Sequence, residues 1–117
     1  MLPLIRVEEY IALSGVSPFA EWFNDLSAPA AAKINTYLTR IREGKTASLK
    51  PIKGAFQEVV IDWGPGYRVY VGKDGDKLII LFGGGTKKQQ QKDLDRAQVL
   101  WQEYKERKKG GEYACHS

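Results

Sequence analysis

Residues 56–82, FQEVVIDWGPGYRVYVGKDGDKLIILF, decide the fold. FQEVVID and YRVYVG are rich in β-branched and aromatic residues, and Gly64, Pro65 and Gly66 between them are turn chemistry. Lys73, Asp74, Gly75 and Asp76 then separate YRVYVG from KLIILF. Asp-Gly between two such runs is a strong hairpin signal, because a type I′ turn needs positive φ at both central residues. KLIILF is apolar at every position after Lys77, as in a strand covered on both faces. Three hairpin-linked strands predict an antiparallel sheet.

Upstream, LPLIRVEEYI reads as an edge strand, with Pro3 where a missing donor costs little. Ser17 followed by Pro18 is a helix start, N-cap then first helical position. Ser27 repeats the device, with Ile34, Leu38 and Ile41 at helical spacing before Gly44. Two helices joined this tightly predict a helical hairpin. A basic loop follows. Downstream, Leu94, Ala97, Leu100, Trp101 and Tyr104 form the apolar stripe of a C-terminal helix whose last turn is basic, as the helix dipole favours.

The predicted order is β-α-α-β-β-β-α. That is an α+β fold: a small antiparallel sheet with an N-terminal helical hairpin and a C-terminal helix, the helices covering one face and leaving the other partly open. The domain is expected over 1–109, with 110–117 a loose tail. The 117 residues, 43% apolar, suffice for one core. No apolar run approaches the roughly 18 residues of a membrane span, and Arg6, Glu8 and Glu9 near the start argue against a secretory signal. Cys115 stands alone, so no internal disulfide forms and a cytoplasmic location is expected.

The net charge is +4, which permits an anionic partner without requiring one. The basic residues are grouped. Arg40, Arg42, Lys45, Lys50 and Lys53 face a single acid, Glu43, and Lys87, Lys88 and Lys92 follow three glycines. A glycine-lined strand end bearing lysines is able to hold phosphate through backbone N–H groups, and a flexible exit loop with solvated lysines explains the same residues. In YRVY, alternation turns Tyr67, Val69 and Val71 toward the helices and Arg68 and Tyr70 toward the open face. Arg68 then either caps that face, paired with Glu58 on the next strand, or meets a ligand. One histidine, one cysteine and no clustered carboxylates leave no metal-ligand set, and no cofactor is expected. Asp74 and Asp76 are explained by turn chemistry.

DWGPGYRVYV, the short Asp-Gly hairpin, the apolar strand and the run Lys87, Gln90, Asp93, Leu94, Ala97, Leu100, Trp101, Glu103 and Tyr104 resemble the RelE/ParE superfamily of bacterial toxins, its HigB-like branch of addiction-module killer proteins above all. KPIKGAFQEVVID resembles the lysine-proline loop and strand that precede the turn in that group. The likeness covers roughly residues 17–105. It implies a RelE-like fold and a toxin that acts as a ribosome-dependent mRNA endoribonuclease, with a cognate antitoxin, the ribosome and mRNA as partners. ParE relatives poison DNA gyrase instead, and a non-catalytic RNA-binding or antitoxin-binding domain is a third reading. For cleavage, the resemblance points to Arg68, Lys87 and Lys53 as catalytic cations and to Lys50, Tyr70, Lys88 and Gln90 as RNA contacts. Tyr70 as a core residue needs no such role. Strongly cleaving relatives tend to carry basic residues where this chain reads Gln57, Glu58, Val59 and Val60. The only histidine, His116, lies in the tail, which excludes a two-histidine mechanism and leaves proton transfer to a lysine of lowered pKa, to Glu58, or to His116 recruited as the tail orders on the ribosome.

Overall fold

In the computed structural model, which describes residues 3–111, both serine caps form as the sequence predicts. Ser17 Oγ accepts from the Ala20 amide at 3.0 Å and Ser27 Oγ from that of Ala30 at 3.3 Å. The elements in chain order are β1 (Arg6–Glu9), α1 (Pro18–Asn24), α2 (Ala28–Arg42), β2 (Leu49–Lys53), β3 (Phe56–Ile61), β4 (Tyr67–Lys73), β5 (Leu78–Thr86), a 3₁₀ turn (Lys87–Gln89) and α3 (Gln90–Lys109). Gly44, at φ +87°, ends α2. Of the expected tail, residues 112–117 with Cys115 and His116 lie outside the described residues.

The fold is α+β, but its sheet is mixed. The strand order is β1-β5-β4-β3-β2, and the edge strand β1 runs parallel to β5. The expected antiparallel pairing holds for β3, β4 and β5. The basic loop contains a further strand, β2, antiparallel to β3 at the opposite edge. Leu49 and Ile52 anchor it to the two cores, and Pro51 is tolerated because the strand is an edge.

Helices cover both faces, which corrects the expectation of one open face. On the first, Phe19, Ile34, Leu38 and Ile41 pack on Val59, Ile61, Val69, Val71, Ile79 and Leu81. On the second, Ala97, Trp101 and Tyr104 of α3 pack on Tyr10, Phe56, Tyr70, Ile80 and Phe82. The end of α3 is tied down as well. Arg107 donates to Tyr10 Oη at 3.0 Å and to the Ile11 carbonyl at 2.8 Å, and Asp74 accepts from both Tyr104 and Lys108.

Two turn expectations change. Among the described residues no non-glycine residue has positive φ, so the Asp74–Gly75 turn is not type I′; the loop closes through Asp74 N to Leu78 O at 2.9 Å. Gly83, Gly84 and Gly85 are neither a phosphate loop nor a flexible exit but the end of β5 itself. A register shift opposite Tyr70 and Val71 falls there, with Gly83 at φ +147°. A Cβ at Gly84 would lie 2.5 Å from the Trp22 ring, and one at Gly85 would collide with the Asp93 carboxylate. The triplet lets α1 and α3 close on the sheet from opposite sides.

Candidate functional site

Arg68 and Glu58 form the centre of the site. Arg68 NH1 donates to Glu58 Oε1 at 2.6 Å, and the two side chains keep 17% and 10% exposure. Direct cross-strand partners share a sheet face. Val60 and Gly85 are the partners of Arg68, and Lys50 and Tyr70 those of Glu58, so all of them line the α3 face. Among the described residues, no hydrogen bond engages Nε or NH2 of Arg68. One edge of a planar, permanently charged fork is therefore fixed and the rest is uncommitted.

Lys87 belongs to the same end of the sheet. Its amide donates to Gly66 O at 3.0 Å, and its side chain passes close enough that a Cβ at Gly66 would lie 3.4 Å from Lys87 Cβ. Lys87, Lys88 and Lys50 are exposed. Lys53 lies farther from Arg68 along the sheet. It pairs with Phe56, four residues along β3 from Val60, a rise of roughly 13 Å. There it lines a groove of about 760 Å³ with Phe56, Asp95, Val99, Trp101 and Lys105, away from Arg68.

Tyr70 is core. It is fully buried, its ring stacked on Phe56, and its hydroxyl donates to the Gln90 carbonyl at 3.2 Å. No face of the ring is available to a base, so the expected RNA contact is corrected to a structural one. Burial foremost, helped by the Glu58 and Asp93 charges and opposed by Arg68, pushes its pKa up to about 12. The phenol stays neutral and remains a donor. The contact seen for Gln90 is that carbonyl, which ties the start of α3 to β4. Tyr70→Phe is expected to cost about 1 kcal/mol, the net worth of one such bond, and to loosen α3. Chemical denaturation and amide exchange at the start of α3 check this.

The sequence places Asp93 only at the start of the C-terminal helix. In the fold its carboxylate lies against Gly85, on the face that carries Arg68. Nothing in the helical period joins residues 85 and 93; the lone trace in sequence is a glycine in a strand, where a close approach is one of few explanations.

No family model matches the chain. Over 86 residues, 73% of this chain and 87% of its relative, the sequence is 38% identical to an uncharacterised protein of Haemophilus influenzae. The chain belongs to one family with that protein. Among the described residues no helix is long and apolar enough to cross a membrane.

Proposed function

We propose that the chain is the toxin of a toxin–antitoxin pair and acts in the cytoplasm as a ribosome-dependent mRNA endoribonuclease. The observation that carries this reading is the oriented, half-committed guanidinium of Arg68, flanked by exposed Lys50 and Lys87 at one end of the sheet. In such cleavage the 2′-hydroxyl attacks the adjacent phosphodiester, and negative charge grows on the phosphate oxygens. Glu58 fixes the plane of the fork, and NH2 and Nε meet that charge as it develops. Lys87 adds a second cation, while Lys50 and Lys88 hold the flanking phosphates. The antitoxin covers this basic end and keeps RNA from it.

The test is cell-free translation of end-labelled mRNA, with and without ribosomes, beside Arg68→Ala and Lys87→Ala. Ribosome-dependent cuts are expected from the wild-type chain. They should fall about 10²–10³-fold in Arg68→Ala, as on loss of a preorganised oxyanion donor, and less in Lys87→Ala, whose lysine is solvated. Intact mRNA under active translation overturns the reading. Inhibition of DNA gyrase supercoiling that survives Arg68→Ala would then assign the ParE-like activity instead.

A further inference from the structure

Asp93 sits where the proposed chemistry lacks a proton acceptor. Among the described residues its carboxylate makes no hydrogen bond and no ion pair. It rests on Gly85, the register partner of Arg68, in a space only glycine leaves open. It also borders a cavity of about 270 Å³ between α1, β5 and α3, lined by Glu21, Trp22, Gly83, Gly84 and Arg96 among others. The charges around it come from every packed element. Lys92 and Arg96 lie on its own helix, Glu21 lies across the cavity on α1, and Arg68, Glu58 and Tyr70 share its sheet face.

We propose that Asp93 is the general base of the site that Arg68 organises, an inference that rests on the endoribonuclease reading. The Asp93 carboxylate takes the proton of the 2′-hydroxyl as the O2′–P bond forms. The P–O5′ bond breaks, and water protonates the leaving 5′-oxygen. The products are a 2′,3′-cyclic phosphate and a 5′-hydroxyl, and Asp93 returns its proton to solvent. Burial holds this carboxyl above the usual carboxylate range against the opposing pull of Arg96 and Lys92, which makes it a stronger base than a solvated aspartate.

The same environment predicts a signature that a structural aspartate lacks. A carboxyl whose folded pKa is raised favours the folded state at low pH, and that contribution is lost as pH rises through the unfolded and then the folded pKa. At neutral pH the ionised Asp93 therefore works against folding. Asp93→Asn should leave the melting temperature unchanged or higher while slowing cleavage about 10²–10⁴-fold, the range for loss of a general base.

The experiment measures ribosome-dependent cleavage rates against pH for the wild-type chain, Asp93→Asn and Gly85→Ala, with melting temperatures of all three. The wild-type rate should fall as pH drops through the raised Asp93 pKa, and the residual rate of Asp93→Asn should lack that acidic limb. Gly85→Ala, folded by circular dichroism, should lose rate too, because its methyl evicts a carboxylate still present in the chain. A wild-type rate and pH profile in Asp93→Asn overturns this inference and leaves the endoribonuclease reading standing. A slow variant with a lowered melting temperature and an unchanged pH profile assigns Asp93 a structural role and also overturns it. Absence of wild-type cleavage at every pH overturns both.

Discussion

Replacing Gly72 by alanine is expected to destabilise the protein by roughly 2–3 kcal/mol, the upper part of the range for overpacking, and to lower its melting temperature by about 10 °C. Gly72 is buried in β4, and a methyl there would fall inside the indole of Trp101, against Cε3 and Cζ3. That ring is held in place by its neighbours. It is stacked on Tyr104 with centroids 5.7 Å apart, meets Phe82 edge-on at 5.8 Å and carries the Lys105 ammonium at 5.2 Å. Moving it means giving up these contacts or shifting α3 on the sheet. Trp101→Phe makes room, so Gly72→Ala with Trp101→Phe should cost less than the two single changes added together. Gly110, with φ −80° and no atom nearer than 3.6 Å to the point where a methyl would sit, is the control whose alanine variant should be nearly neutral. Urea titration followed by tryptophan fluorescence decides it; equal midpoints for Gly72→Ala and wild type would show that α3 is not seated on β4 as described.

The importance of Gly72 also marks what sequence conveys. Caps, helical stripes and the three central strands rest on local chemistry, and Ser17, Ser27, the Ile34–Leu38–Ile41 spacing and the Gly64–Gly66 turn are all placed as that chemistry predicts. The uninterrupted run of KLIILF already implies cover on both faces, since Ile79 and Leu81 enter one core while Ile80 and Phe82 enter the other. Alternation likewise places Arg68 opposite the α1–α2 face and pairs it with Glu58. The parallel pairing of β1 is not legible, because Arg6–Glu9 meets a partner seventy-two positions away and carries no register signal of its own. Neither is the division of the lysines. Lys50 and Lys53 lie three residues apart on one short strand, yet the register pairs Lys50 with Glu58, the partner of Arg68 in its ion pair, and Lys53, past the bulge, with Phe56 beside the groove under Trp101. Asp93 depends on the packing of α3, which only the assembled core determines.

The Arg68–Glu58 pair separates stability from chemistry. Arg68→Ala leaves the Glu58 side chain, 10% exposed, without its partner. Breaking a fully buried pair costs about 3–5 kcal/mol; with 17% of Arg68 still solvated, about 2 kcal/mol is expected after allowance for screening. Glu58→Gln removes the charge that creates this penalty, so Arg68→Ala combined with Glu58→Gln should be more stable than the sum of the single changes predicts. Arg68→Lys is the informative variant. A lysine retains a positive charge near Glu58 and should recover much of the stability, but an ammonium has no fork with which to hold the carboxylate on one edge and a phosphate on the other. If Arg68 contacts the scissile phosphate, Arg68→Lys stays folded and remains about 10²-fold slower than wild type. If Arg68 only neutralises Glu58 within the sheet, Arg68→Lys regains activity in step with stability. Denaturation midpoints and cleavage rates measured on the same preparations place the arginine in one role or the other.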